Sequence, residues 1–146
     1  LLADDFIVSE EKGVTSDLVS AFEKNSKIQL SVMEIFGSEI SNYGVVQYNP
    51  INGKVEGLVE KPEENLAPSN SASIGRYVLT AEIFDILENQ TVGKGGEIQL
   101  ADAINILAKE NKVETVKLKG NRFDCGSVKG YLAGINFVAN KLKINN

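Results

Sequence analysis

The chain has 146 residues, and its 20 Asp and Glu against 15 Lys and Arg give a formal net charge of −5. This acidic balance argues against a protein that binds the nucleic acid backbone, because such a protein needs a basic surface. The sequence contains no histidine, which excludes histidine-based triads, histidine general bases and histidine metal sites.

The first part of the chain predicts several short strands and one helix. Residues 1–3 are apolar and are expected to end a buried strand just before Asp4. The N-cap types Thr15 and Ser16 precede apolar residues at helical spacing, and Asn52-Gly53 is a strong hairpin signal. Alternation of apolar and polar residues indicates the strands. The further predicted elements are a helix at 16–25 and strands at 27–36, 43–48, 55–60 and 73–79.

The second part of the chain predicts three helices and one strand. Ile83, Phe84 and Leu87 are expected to point inward from the first of these helices. The second helix has the clearest apolar stripe, which is formed by Ala101, Ile104, Leu107 and Ala108. The predicted elements are helices at 81–89, 98–111 and 127–142, a strand at 113–118, and loops at 92–96 and 120–126. Strands and helices mix without a break, so we expect one α/β domain over residues 1–146.

The last predicted helix begins at Ser127 as its N-cap and has an apolar stripe of its own. This stripe has two interpretations, namely a core face or a surface for assembly, and we favour the core because any terminal amphipathic helix shows such a stripe. The stripe consists of Val128, Tyr131, Leu132, Ile135 and Val138.

Targeting and membrane segments are not expected from the sequence. The longest apolar run is far shorter than the roughly 18 residues that a membrane-spanning helix needs. The single cysteine, Cys125, has no partner for an internal disulfide, which favours a reducing, cytoplasmic compartment. The chain begins at Leu1 and its one methionine is Met33, so we expect it to be a piece of a longer protein.

Two acidic motifs are candidates for a metal site. Asp4 and Asp5 follow an apolar stretch, and Asp124 precedes Gly126 just before a helix. Carboxylate oxygens suit a hard cation such as Mg²⁺, so Asp4 and Asp124 are candidates to share one ion. The plainer alternative is that these residues are turn and N-cap residues. Cys125 is not expected to be a nucleophile, because no histidine is available to act as its base.

Three further motifs carry candidate binding residues. Glu60 and Lys61 precede Pro62 at the end of a strand, where a carboxylate can accept from sugar hydroxyls and an ammonium can bind a phosphate. Gly44 would let a ligand approach the backbone, and Glu97 would point into a cleft from the start of a helix. The alternatives are a surface ion pair, a strand bulge and a favourable contact with the helix dipole.

Seven short motifs occur in one order along the chain. They are Ala-Asp-Asp, Asn-Tyr-Gly-Val-Val, Val-Glu-Lys-Pro, Ala-Pro-Ser-Asn, Ile-Gly-Arg-Tyr-Val-Leu, Gly-Glu-Ile-Gln-Leu-x-Asp-Ala-Ile and Asp-Cys-Gly. In this order the chain resembles the bacterial UTP–glucose-1-phosphate uridylyltransferases of the sugar-phosphate nucleotidylyltransferase family. The resemblance implies a mixed-sheet, Rossmann-like domain with flanking helices. The chain departs from the family pattern at Ala101, where Thr is usual, and at Ser71, where Leu is usual.

The resemblance also implies roles for individual residues. Asp4, Lys61 and Asp124 match catalytic positions, and Asp4 and Asp124 match the family's Mg²⁺ ligands. Lys61 matches the lysine that contacts the sugar phosphate. The positions that match the substrate-binding motifs are Asp5, Gly44, Glu60, Lys61, Gly75, Arg76, Glu97 and Gly126.

The reaction that the resemblance implies is nucleotidyl transfer from UTP to glucose 1-phosphate, with Mg²⁺ as cofactor. The chain resembles the C-terminal half of the family, without the glycine-rich triphosphate loop of the N-terminal half. We therefore expect the isolated piece to be inactive and its full-length parent to be a cytoplasmic homo-oligomer that binds no nucleic acid or membrane. The alternatives are a dTTP-dependent enzyme, an enzyme for another hexose 1-phosphate, and a non-catalytic sugar-nucleotide-binding subunit.

Overall fold

The computed structural model describes residues 1–9, 12–91 and 97–143. The predicted loop at 92–96 and the end of the predicted tail lie outside the described residues. The strands are β1 (Asp5–Val8), β2 (Ile28–Glu34), β3 (Gly44–Tyr48), β4 (Val55–Glu60), β5 (Ser71–Val78), β6 (Val113–Lys117) and β7 (Asn121–Asp124). The α-helices are α1 (Val14–Asn25), α2 (Glu82–Asn89), α3 (Leu100–Lys109) and α4 (Val128–Lys141), with short 3₁₀ turns at Gly37–Asn42 and Glu64–Leu66.

A five-stranded mixed sheet is the centre of the fold, with strand order β4-β3-β5-β2-β6. Among the described strands of this sheet, β2 and β6 pair in parallel, and the other pairs are antiparallel. The polar residues Gln29 and Ser31 of β2 are both buried. The side chain of Ser31 donates to the carbonyl of Arg76 at 2.8 Å, which satisfies one of these buried polar groups.

Helices cover the sheet on both faces. The stripe predicted on α3 packs against Ile28, Leu30 and Val32 of β2, with Ile83 of α2 in the same core. The helix α1 contacts both β2 and β5 of the sheet. These helices and the mixed sheet confirm the predicted α/β class. The prediction for Phe84 was wrong, because this ring is exposed at the start of α2 while Ile86 packs inward instead.

A separate two-stranded ribbon is formed by β1 and β7, which pair in antiparallel fashion. Two predictions fail here. Residues 1–3 form no strand: Leu2 donates one backbone hydrogen bond to Gly75, and the strand begins only at Asp5. The predicted loop at 120–126 contains β7, because Asn121–Asp124 finds its partner in β1 at the other end of the chain.

The apolar stripe on α4 does not lie in the core, contrary to the prediction. Val128, Tyr131 and Ile135 are 78%, 53% and 47% exposed. The helix instead packs on the ribbon through Gly134 and Phe137. A Cβ added at Gly134 would lie 3.3 Å from the Phe6 ring, and the Phe137 ring centroid lies 5.2 Å from that of Phe123. Because Gly134 has no side chain, this face of α4 can approach the ribbon more closely than the face that carries the apolar stripe.

The helix ends differ from prediction at one place and agree at another. The first helix begins at Val14 after Gly13, so Thr15 and Ser16 are not its N-caps. The side chain of Ser127 does cap α4, accepting a hydrogen bond from the Gly130 amide at 3.0 Å. In the part of the chain that the structure describes, every helix is too short or too polar to cross a lipid bilayer.

Candidate active site

A cleft of about 690 Å³ opens between the β1–β7 ribbon, the end of the β3–β4 hairpin, β5 and the start of α4. Its walls bring together side chains that are far apart in sequence. Most of the residues singled out from the sequence line it, namely Asp4, Asp5, Gly44, Glu60, Lys61, Gly75 and Asp124. The cleft is therefore the candidate site.

One end of the cleft holds the acidic pair Asp4 and Asp124. The two strands of the ribbon place Asp5 opposite Asp124, and the Cys125 amide donates to the Asp4 carbonyl at 2.8 Å. A Cβ added to Gly126 would lie 3.1 Å from a carboxylate oxygen of each aspartate. The two oxygens are therefore at most twice that distance apart, and glycine leaves the space between them open.

The chemistry of this pair fits Mg²⁺, which commonly takes one or two protein carboxylates and completes its shell with water and substrate phosphates. Within the described residues no group of three or more acidic, cysteine or histidine side chains is arranged to hold a metal ion. Asp4 and Asp124 are the residues that would hold such an ion, together with ligands that this pair does not supply.

The opposite end of the cleft is formed by the end of the β3–β4 hairpin. Gly44 and Glu60 pair across the two strands, and a Cβ at Gly44 would lie 3.0 Å from a Glu60 carboxylate oxygen. The amide of Lys61 donates to the carbonyl of Tyr43 at 3.0 Å, which ties the lysine to the start of β3. Pro62 then ends the strand. A carboxylate and an ammonium thus stand side by side at a backbone that a ligand can approach.

Gly75 lies where the ribbon meets the main sheet. Its amide donates to a carboxylate oxygen of Asp5 at 2.7 Å, and its carbonyl accepts from Leu2 at 2.8 Å. A Cβ here would come within 2.5 Å of the Leu2 side chain. Arg76 donates to the carbonyls of Leu2 and Asp5, so its guanidinium holds the ribbon in place. This close approach explains why a glycine is needed at position 75, which the motif alone did not reveal.

Arg122 and Tyr43 are cleft residues that the sequence interpretation missed. The Arg122 guanidinium forms an ion pair with the buried Asp5 carboxylate and donates to the Tyr43 hydroxyl at 2.7 Å. Arg122 precedes Asp124 by two residues, so strand alternation puts both on one face. Recognising β7 as a strand would have supplied this signal.

The ionisation of these groups follows from burial and charge. Burial opposes the charge on Arg122, but the attraction and hydrogen bond of Asp5, together with the smaller effects of Tyr43 and Asp124, raise the pKa of Arg122 above its ordinary value. Burial also raises the pKa of Tyr43, although the neighbouring Arg122 works in the opposite direction. In Tyr77, which lines the same cleft, burial again raises the pKa of the phenol.

Three of the predicted substrate-binding residues, Arg76, Glu97 and Gly126, are not among the residues that line the cleft. Glu97 is exposed. Gly126 stands beside the acidic pair, where its amide donates to Asp124 at 3.0 Å. Cys125 is a free thiol of intermediate exposure.

Comparison with known proteins identifies the family. The nucleotidyl transferase profile matches residues 1–141. The chain is 43% identical over 141 residues to a UTP–glucose-1-phosphate uridylyltransferase of Pseudomonas aeruginosa, covering 94% of this chain and 50% of that protein. A UDP-glucose pyrophosphorylase complexed with UDP-glucose has a TM-score of 0.87 at 36% identity, covering 97% of this chain and 55% of the other.

A UTP-bound UGPase from Acinetobacter baumannii has a TM-score of 0.84 at 33% identity, covering 97% of this chain and 50% of the other. The chain spans about half the length of the curated relatives that it matches. Because the family profile extends over nearly the whole sequence, this chain belongs to the nucleotidyl transferase family.

Proposed function

We propose that the protein that carries this chain transfers a uridylyl group from UTP to glucose 1-phosphate, giving UDP-glucose and pyrophosphate. The observation that carries the proposal is the cleft with Asp4 and Asp124 at one end and Glu60 and Lys61 at the other. The uridylyltransferase relatives and the structures with UTP or UDP-glucose support the choice of nucleotide and sugar.

The chain would supply the sugar-binding and metal-binding part of the domain, corresponding to the C-terminal half of a longer protein. The coverage of about half of each relative supports a partial domain, and the choice of the C-terminal half rests on the resemblance of the motifs. In such a protein the site for the nucleotide triphosphate would be completed by residues outside this chain. The isolated chain is therefore expected to have no transfer activity.

The proposed reaction needs little covalent chemistry from the protein. A phosphate oxygen of glucose 1-phosphate attacks the α-phosphorus of UTP, and pyrophosphate leaves. Positioning and charge neutralisation govern reactions of this kind. The absence of histidine is therefore no obstacle, because a phosphate monoester is already a competent nucleophile.

Each end of the cleft has a role in this reaction. Lys61 would hold the incoming sugar phosphate as a point charge, while Glu60 and the backbone at Gly44 would orient the sugar hydroxyls. Asp4 and Asp124 would hold Mg²⁺, which supplies charge neutralisation at the phosphates. The remaining predicted contacts, through Gly75, Gly126 and Glu97, are secondary to these.

Replacing Asp124 by Asn tests the proposal in the complete protein that carries this chain. The variant keeps its shape but removes one carboxylate charge, so we expect transfer to fall by roughly 10²-fold or more. The measurement is pyrophosphate release from UTP and glucose 1-phosphate with Mg²⁺. Asp85→Asn, an exposed aspartate on α2, is the matched control and should retain full turnover. If Asp124→Asn turns over at the wild-type rate and circular dichroism shows an intact fold, the proposed role of Asp124 as a metal ligand is wrong.

We also propose a cytoplasmic location and a homo-oligomeric state for the complete protein. The single cysteine supports a reducing compartment. The half-exposed stripe of α4, with Tyr131, Leu132 and Ile135, offers an apolar surface on which copies could associate. The mass of the complete protein in solution, measured by light scattering, checks the second proposal.

A further inference from the structure

A hydrogen-bonded network links several of the residues that line the cleft. Its centre is the ion pair between Arg122 and Asp5, whose side chains are 12% and 2% exposed. One oxygen of Asp5 accepts from the Arg122 guanidinium, and the other accepts from the Gly75 amide at 2.7 Å. Both oxygens of this carboxylate are therefore occupied by protein donors.

The network continues from the ion pair to the opposite wall of the cleft. Arg122 donates to the Tyr43 hydroxyl at 2.7 Å, and its guanidinium carbon lies 5.1 Å from the centre of the Tyr43 ring. The carbonyl of Tyr43 in turn accepts from the Lys61 amide at 3.0 Å. An unbroken series of contacts thus joins the ribbon of the acidic pair to the backbone of the lysine.

Every member of the network is adjacent to a residue of the proposed site. Asp5 follows Asp4 in sequence and stands opposite Asp124 in the ribbon. Arg122 lies on the same face of β7 as Asp124, and Tyr43 directly precedes Gly44.

We propose that Asp5, Arg122 and Tyr43 are positioning residues that fix the spacing between the acidic pair and Lys61. This inference rests on the proposed transfer reaction. Asp5 acts through its neighbours, because its side chain is buried and both of its oxygens accept hydrogen bonds from protein donors. Arg122 is suited to the central place, since its planar fork can serve the carboxylate and the phenol at once, which a lysine ammonium does less well.

The test is a pair of matched hydroxyl deletions in the complete protein. Tyr43→Phe removes the hydroxyl that Arg122 contacts and keeps the ring. Tyr48→Phe removes a hydroxyl that pairs with Thr115 at 3.2 Å and lies away from the cleft. We expect Tyr43→Phe to lower kcat roughly tenfold with the KM values for both substrates within about twofold, because misplacement of reacting groups costs rate more than binding. Tyr48→Phe should leave kcat unchanged.

A second variant separates positioning from stability. Arg122→Lys keeps the charge next to Asp5 but cannot reach Asp5 and Tyr43 in the same fork geometry. We expect a larger fall in kcat than for Tyr43→Phe, and the double variant should be no worse than Arg122→Lys alone, because both changes break one network. The melting temperature of each variant identifies any variant that is merely less stable. The kcat of such a variant is then measured at a temperature below its unfolding transition.

The outcomes distinguish the inference from the function on which it rests. A wild-type protein without transfer from UTP to glucose 1-phosphate would overturn the proposed function, and the inference with it. An active wild type in which Tyr43→Phe and Tyr48→Phe have equal kcat would overturn the inference alone. Independent, additive losses in the double variant would also overturn it.

Discussion

Lys61 has an unusual backbone as well as a candidate role. Four non-glycine residues of the described chain have positive φ, and three of them, Ser26, Asn111 and Lys143, follow the end of a helix, where this conformation is common. Lys61, with φ 44°, ends a strand instead. The hydrogen bond from its amide to Tyr43 and the following Pro62 hold it there. Strained residues of this kind cluster at functional sites.

Truncating the side chain of Lys61 tests its role as a phosphate contact. We expect Lys61→Ala to raise the KM for glucose 1-phosphate by roughly tenfold, because a charge-assisted hydrogen bond of about 1.5–3 kcal/mol is lost. Steady-state kinetics with each substrate varied in turn is the measurement. Lys54→Ala, an exposed lysine at the other end of the same hairpin, is the control. A selective rise in the KM for UTP would show that the role is misassigned.

At the scale of elements, α3 completes the edge of the main sheet through one side chain. β4 is an edge strand, so one side of its backbone lacks a neighbouring strand. The amide of Asn105 accepts from the Leu58 N–H and donates to the Leu58 carbonyl at 3.0 Å, as a paired strand would. A Cβ at Gly57 would lie 2.9 Å from this amide, so glycine permits the approach. The strand that ends in Glu60 and Lys61 is thereby fixed to a helix.

Asn105→Ala should therefore destabilise the fold. The substitution leaves a donor and an acceptor of the buried residue Leu58 without partners, which costs about 1–3 kcal/mol. Urea denaturation measures the free energy of unfolding. Asn140→Ala, at an exposed position of α4, is the control and should change it by less than about 0.5 kcal/mol. Equal stability of the two variants would show that the Asn105 amide is not needed at this edge.

Elements with local signals could be predicted from the sequence, and elements that depend on distant partners could not. The β3–β4 hairpin follows from Asn52-Gly53, where Gly53 has φ 70°, and the stripe on α3 follows from helical spacing. The strand β7 was missed because its four residues show no clear alternation and its partner lies at the other end of the chain. The face of α4 was misjudged because its stripe does not reveal which side meets the ribbon.

The candidate site shows the same division. The motif residues Asp4, Glu60, Lys61 and Asp124 were identified from their place after strands and from the resemblance, and the structure places them in one cleft. Arg122 was not identified, since its partners depend on the strand register and on a contact between two sheets. The sequence therefore indicates the charged groups, while tertiary contacts decide which groups hold the others in place.

At the scale of the whole molecule, the cleft lies at the junction of two sheets. The ribbon carries the acidic pair, and the five-stranded sheet carries Glu60 and Lys61. The junction depends on close contacts of Gly75 with Asp5 and Leu2, reinforced by Arg76. Any change that moves the ribbon relative to the sheet should thus alter the spacing of the two ends of the cleft without unfolding either.

Gly75→Ala is expected to loosen this junction selectively. The added Cβ would lie 2.5 Å from Leu2 and 2.6 Å from a carboxylate oxygen of Asp5, closer than such atoms can approach, so the ribbon must shift. Hydrogen exchange should then speed up in Asp5–Val8 and Asn121–Asp124 while β2 and β5 keep their protection, because the opening is local. Ile74→Val, at the neighbouring buried position, is the control and should weaken the main sheet instead. If hydrogen exchange in the ribbon of Gly75→Ala is the same as in the wild type, the contacts of Gly75 do not hold the ribbon in place relative to the main sheet.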